Sequence, residues 1–273
     1  MSDNATLLQI KVTRLNEILD SLQSAAVAFS GGTDSAFLAA AAFRRLQDRA
    51  VALTAYSSTL AMEEQSDAIK IADGIGIRHL MLPADEMDDA GFRQNGPDRC
   101  FHCKKLRFGI LAEWAAQNGI HWIIEGSNAD DVGDYRPGMK AIKAIPNVRS
   151  PLLEAGLTKA EIRTLSKEWG LPTWDKPSAA CLASRIAYGL PISAANLAQV
   201  EQAERLVRRF AAGQVRVRHH GVIARIEVEP AQMQNLIDAG NAKIIIKELQ
   251  SIGFPFVTLD LSGYRMGSLN ETL

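Results

Sequence analysis

The stretch AAVAFSGGTDSAFLAAAAFRRL, residues 25–46, joins a short apolar run to an alanine-rich helical run through six residues, two of them glycine and three hydroxyl-bearing. An apolar run with no polar alternation reads as a strand buried on both faces, the kind that parallel sheets use when helices cover each side. The pattern repeats along the chain. VALTAY (51–56), IRHLML (77–82) and HWIIEG (121–126) read as strands, and residues 63–75 and 104–117 as helices. Leu7, Leu8, Ile10, Leu15, Ile18, Leu19 and Leu22 recur at helical spacing ahead of the first strand. Strands alternating with helices are βαβ units, so the expected fold class is α/β: a doubly wound, Rossmann-like parallel sheet with a second, smaller α/β domain.

Residues 127–141, SNADDVGDYRPGMKA, are too polar and too rich in Gly and Pro for a core element. They read as a loop at a strand's carboxyl end, where open α/β sheets bind their ligands. Thr158 with Glu161 three residues on is a capping box, opening a helix that ends at Gly170. The irregular segment between Pro172 and Pro191 predicts a junction, with a first domain over 1–190 and a second over 191–273. The second contains a helix after Ser193, a hairpin in QVRVRHHGVIARIEVE (214–229), two helical stretches (231–240 and 242–253) and a strand (256–261). About 80 residues make a domain of marginal stability, so this unit is expected to lean on a partner.

Lys and Arg total 30 against 31 Asp and Glu, a net charge of −1. No bulk positive field draws in RNA or DNA, and a nucleic-acid partner is not expected. Nowhere do about 18 apolar residues run together, so a soluble, cytoplasmic protein without a membrane partner is expected. Three cysteines, Cys100, Cys103 and Cys181, are too few and of the wrong parity for a secreted disulfide framework.

A strand, then Ser30-Gly31-Gly32-Thr33-Asp34-Ser35, then a helix, aims free backbone N–H groups and the positive end of a helix dipole at one point, which suits phosphate. No Gly-Lys-Ser/Thr is present, so this is not a Walker loop. SGGTDS after a buried strand resembles the PP-loop of the N-type ATP pyrophosphatases. That resemblance implies ATP cleaved between its α and β phosphates, with Asp34 orienting a Mg²⁺ ion that offsets the polyphosphate charge.

Cys100 and Cys103 stand at C-x-x-C spacing beside Arg99, Lys104 and Lys105, and Cys181 lies between Lys176 and Arg185. Such thiols are favoured as thiolates. Three readings are open: a [4Fe–4S] cluster on the three cysteines, zinc with His102 added, or a redox pair with one inert thiol. SGGTDS, EGSNADDVGDYRPGMKA (125–141), the run from Ser150 to Gly189, QVRVRHHGVIARIEV (214–228) and GFPFVTLDLSGYRMGSLN (253–270) together resemble the LarE family. Its members are ATP-dependent sulfur transferases of nickel-pincer nucleotide synthesis, for the cofactor of lactate racemase.

The resemblance implies adenylation of the carboxylates of pyridinium biscarboxylic acid mononucleotide and replacement of AMP by sulfur. In one branch the sulfur comes from the enzyme's own cysteine, the position of Cys181. In another, two more cysteines join it to bind a [4Fe–4S] cluster. Cys100 and Cys103 match that branch, which is the expectation here.

Ser30, Gly31, Gly32, Thr33, Asp34 and Ser35 are then expected to hold ATP, Gly126 to approach its adenosine and Asp130 to join the Mg²⁺ site. Arg216 and Arg218, two residues apart on one strand, are expected to fork onto the substrate's phosphate. Ser184 and Arg185, just beyond Cys181, and Lys104 are substrate-contact candidates. Glu204 and Glu227 match carboxylates that bind a divalent metal in the family, although Asn235 stands where a further acid is expected. Partners implied are the nucleotide substrate, further copies of this chain in a homo-oligomer, and a downstream nickel-inserting enzyme. The rival readings are a tRNA-thiolating enzyme, an amidating ligase and a non-catalytic nucleotide sensor. His79, His121, His219 and His220 read as structural.

Overall fold

In the computed structural model the chain is described over residues 2–132, 142, 145–177 and 180–272. The D-Y-R-P-G segment (134–138), with Ser178 and Ala179 of the KPSAACLASR run, lies outside the described residues. The chain divides into two units. The first comprises residues 1–57, 62–84 and 101–179, and the second 58–61, 85–100 and 180–273.

In the first unit α1 (Ser2–Leu22) leads into β1 (Ala25–Ala28), α2 (Thr33–Leu46), β2 (Ala50–Tyr56), α3 (Met62–Ile75) and β3 (Arg78–Pro83). After α4 (Arg99–Gln117), whose first two residues belong to the second unit, come β4 (Trp122–Ile124), β5 (Val148–Arg149) and α5 (Lys159–Glu168). The sheet is parallel throughout, in the order β3-β2-β1-β4-β5. It is the doubly wound arrangement expected, with the strand order reversing beside β1. Side chains alternate between two apolar layers. Ala25, Val27, Ala50, Ala52 and Ile124 pack with α1, α2, α3 and α5, whereas Ala26, Val51, Leu53 and Ile123 pack with Phe108, Leu111 and Ala115 of α4. The buried alanines of α2 let it lie close to the sheet.

Two features of the first unit depart from the sequence reading. Helix α4 starts at Arg99 rather than at residue 104, so Cys100 and Cys103 share its first turns. β5 pairs with β4 through only Ile123–Val148 and Ile124–Arg149, too short a strand for periodicity to reveal.

The second unit has α6 (Ala194–Val207), β6 (Arg216–His220), β7 (Ile223–Glu227), α7 (Ala239–Ile252) and β8 (Phe256–Leu259). β6 and β7 form the expected antiparallel hairpin, turning at Gly221 with φ of 72°. β8 adds parallel to β7. Asn95 binds residues 85–100 into this unit: its side-chain N–H groups donate to the carbonyls of Ile186, Ala187 and Leu190, and Arg99 donates back to its Oδ1 at 2.6 Å. Arg99 also lies over the Tyr188 ring. Among the described residues no helix is long and apolar enough to cross a membrane.

Three histidines are buried or half-buried. Thr54 gives its one hydroxyl proton to the Phe29 carbonyl (2.7 Å), so at 2.8 Å it accepts from the Nε2–H of a neutral His79. His219 pairs with Gln199 at 3.0 Å. Burial pushes His79, His219 and His220 below the usual value of 6.5. The unfolded chain therefore takes up protons near pH 6.5 that the folded one refuses. Stability is full above that value and is lost as pH falls below it, so the thermal midpoint is expected to drop between about pH 7.5 and about pH 5.5. An unchanged midpoint would contradict neutral burial of these rings.

Candidate active site

The loop Ser30–Ser35 leaves β1 at the point where the strand order reverses. It is braced from within: Ser35 Oγ donates to the Gly32 carbonyl (3.1 Å), accepts from the Ser30 N–H (3.3 Å) and lies 3.1 Å from Ser30 Oγ. Gly31 has φ of 70°, and a Cβ there would stand 3.0 Å from Ala68 Cα, so both conformation and space demand glycine. Gly32 is the N-cap of α2 and no side chain caps that helix. The first-turn N–H groups of α2 and its dipole therefore face the loop, an arrangement that suits an anion. The Thr33 hydroxyl has another task. It donates to the Thr173 carbonyl at 2.8 Å and reaches that of Lys176 at 3.3 Å, anchoring residues 173–176.

Across the switch point the loop after β4 runs against the same residues. A Cβ on Gly126 would lie 3.2 Å from both Asp34 Cβ and Ser35 N, so this glycine is required by the approach of two loops. Buried Glu125 accepts from the N–H (3.1 Å) and hydroxyl (2.8 Å) of Ser127 and from Ser150, fixing the turn that follows. Asn128 and Asp131 close a capping box, leaving Asp130 exposed.

Lys159 joins these parts. Its backbone N–H donates to Asp130 Oδ2 (2.8 Å) and its ammonium to Asp34 Oδ2 (2.6 Å). Thr158 and Glu161 form the expected capping box, and Lys11 holds both oxygens of Glu161 at 2.7 and 2.8 Å. Sequence reasoning passed over Lys159. A signal was present: a lysine at the first helical position opposes the helix dipole by about 0.3–1 kcal/mol, and its carboxylate partners offset that. Asp34 Oδ1 is buried and has no hydrogen-bond partner among the described residues. A bare carboxylate oxygen beside the uncapped start of a helix fits a hard cation such as Mg²⁺. When bound, Mg²⁺ neutralises part of the polyphosphate charge.

In the second unit Arg185 fixes the turn that carries Cys181. Its guanidinium donates to Glu204 (2.8 and 3.2 Å), to the carbonyls of Ala180 and Cys181 and to Ser184 Oγ (3.0 Å). Arg185 thus positions Cys181, and the pair with Glu204 is almost fully buried. Arg218 is likewise spent, on Glu227 at 2.7 and 3.0 Å and on Ser184 O and Ser268. Arg216 differs. It is 6% exposed, donates to its neighbour's carbonyl, Val215 O, and lies over the Tyr264 ring, and burial together with Arg185 lowers its pKa. A guanidinium so placed is the better suited of the two to an incoming anion.

Glu204 and Glu227 have both oxygens engaged by arginines and, for Glu227, by Ser268. Cys100 is exposed, Cys103 and Cys181 are half-buried, and Lys104 is half-buried on α4. Among the described residues no group of three or more His, Cys, Asp or Glu side chains is gathered to hold a metal ion.

No family model matches the chain. It is 40% identical over 267 residues to the uncharacterized protein slr1717 of Synechocystis sp., covering 98% of this chain and 99% of that one. It is 37% identical over 270 residues to the pyridinium-3,5-bisthiocarboxylic acid mononucleotide synthase of Lactiplantibacillus plantarum, covering 98% and 96%. The chain belongs to the LarE family. As a LarE-family member it is an enzyme of the sulfur-transfer class. A more distant likeness, 27% identity over 195 residues to the tRNA-specific 2-thiouridylase MnmA of Rickettsia peacockii, covers 58% of this chain and 53% of that protein. It agrees with the PP-loop fold that LarE-family chains share.

Gly31→Ala is expected to cost about 1–3 kcal/mol in urea unfolding, because the left-handed backbone and the Ala68 contact must both yield; a change within about 0.5 kcal/mol would contradict that. Glu204→Ala strands Arg185 as an uncompensated buried charge and is expected to cost about 3–5 kcal/mol in the same assay.

Proposed function

We propose that this enzyme uses ATP to convert the carboxylates of pyridinium biscarboxylic acid mononucleotide into thiocarboxylates, for a nickel-pincer cofactor. The observation that carries the reading is 37% identity over 98% of the chain to the Lactiplantibacillus plantarum synthase. The uncapped start of α2 and the bare Asp34 oxygen support the nucleotide half of the reading.

A carboxylate is a poor electrophile, and attaching AMP turns one of its oxygens into a leaving group. The substrate carboxylate attacks the α-phosphorus, the α–β bridge breaks and pyrophosphate departs with the electron pair. Backbone N–H groups of Ser30–Ser35 and the α2 dipole hold the negative charge that develops on the leaving group. Lys159 and Asp34 set the charge balance of the loop, and Asp34 would hold Mg²⁺. Arg216 would take the substrate's phosphate.

Sulfur delivery falls to Cys181, whose turn Arg185 fixes. The thiol loses its proton and attacks the acyl carbon, and AMP leaves to give a thioester. Removal of the Cys181 Cα proton with cleavage of the Cβ–Sγ bond then releases the thiocarboxylate and leaves dehydroalanine. Arg99, which the sequence placed beside the C-x-x-C thiols, turns its guanidinium to Asn95 and Tyr188. The thiols of Cys100 and Cys103 are assigned no step.

Cys181→Ser is expected to keep ATP- and substrate-dependent pyrophosphate release and lose thiocarboxylate formation, whereas Asp34→Ala loses both. Mass spectrometry of the wild-type chain after one turnover is expected to show loss of one H₂S at Cys181. Repeated turnovers with added iron and sulfide, abolished in Cys100→Ala, would overturn the sacrificial route in favour of a cluster. Thiocarboxylate formation without pyrophosphate release would overturn adenylation.

A further inference from the structure

Two observations meet at Asp34. One of its oxygens is held by the Lys159 ammonium at 2.6 Å, while the other is buried with no hydrogen-bond partner among the described residues. A buried acceptor left bare is uncommon and calls for a reason. The carboxylate is half satisfied, and the satisfied half is satisfied by a cation.

The lysine's backbone is fixed but its side chain is not. Its N–H is tied to Asp130, and the helix start around it is locked by the Thr158–Glu161 capping box, itself clamped by Lys11. The side chain keeps 33% of its surface exposed. Its flexible four-carbon stem carries a compact charge that can change acceptor without any backbone movement. The natural second acceptor is a phosphate oxygen at the α2 N-terminus, which begins one residue before Asp34.

We infer that Lys159 is an exchangeable counter-cation: it occupies Asp34 while the loop is empty and passes to the phosphates when a metal-bound nucleotide arrives. The inference rests on the ATP-binding reading of this loop and deepens it. A divalent ion and an ammonium group compete for the same carboxylate, since like charges at contact distance repel. Without nucleotide, Lys159 keeps the metal off Asp34. With nucleotide, the phosphate draws the ammonium away and the metal gains a full carboxylate. Metal and nucleotide binding are thereby coupled through one side chain, each strengthening the other by the same factor. Lys159 is a positioning residue in this scheme. Its effect appears in binding before any chemistry takes place.

The test is Mn²⁺ binding to the whole protein, read by electron paramagnetic resonance with and without a non-hydrolysable ATP analogue. Wild type is expected to bind Mn²⁺ weakly alone and more tightly with the analogue, by a factor in the range of about 5–150. Lys159→Met is expected to bind Mn²⁺ more tightly than wild type in the absence of nucleotide and to lose most of the enhancement. Lys159→Arg, which keeps the charge, should retain wild-type weakness. Circular dichroism checks that each variant folds. Unchanged or weaker nucleotide-free Mn²⁺ binding in folded Lys159→Met would overturn the inference. Adding Asp34→Asn to Lys159→Met separates the two layers of the account. Loss of Mn²⁺ binding supports Asp34 as the ligand, and retention would overturn the metal-site reading itself.

Discussion

The reversal of strand order beside β1 is the constraint on which the first unit depends. β2 and β3 lie to one side of β1 and β4 to the other, so the connections after β1 and β4 leave the sheet in opposite directions. In doubly wound sheets this reversal is the place where ligands bind. The close approach of Gly126 to Asp34 and Ser35, the left-handed Gly31 against Ala68, and the bridge from Lys159 to both loops are local answers to that one topology. Each makes the loop more rigid, and a rigid set of backbone donors is what stabilises a departing anion without reorganisation.

The second unit meets a different difficulty, that of keeping several arginines inside a small domain. Arg185 and Arg218 are neutralised by Glu204 and Glu227, two carboxylates at or below 2% exposure. Buried pairs of this kind add little net stability, but breaking one is costly, so they fix geometry more than they add free energy. What they fix is the turn bearing Cys181 and Ser184. Arg216 is buried beside them with a neighbouring carbonyl and an aromatic ring as its contacts, which marks it out for anion binding.

Much of this was legible in the amino-acid order. The strand, glycine loop and alanine-rich helix predicted the parallel sheet and the glycine turn into an uncapped helix, and the Thr158–Glu161 capping box was correctly placed. Features that depend on distant partners were not legible. A lysine at a helix start reads as a solvated charge until the fold brings Asp34 and Asp130 to it. The Thr33 hydroxyl reads as a phosphate donor until residues 173–176 come within its reach. Arg216 and Arg218 read as an equivalent pair, because nothing local shows that Glu227, opposite Arg216 in the ladder, accepts from Arg218 and Arg225. The three cysteines pointed to a cluster through spacing and family likeness, an expectation carried by sequence alone, since among the described residues no group of three metal-ligating side chains is gathered.

The central claim is that ATP activates the substrate's own carboxylate before sulfur replaces an oxygen. Substrate labelled with oxygen-18 in its carboxylates tests it most directly, with the label followed into AMP by mass spectrometry. The account predicts one labelled oxygen in AMP for each thiocarboxylate formed. Unlabelled AMP accompanying labelled water would contradict it.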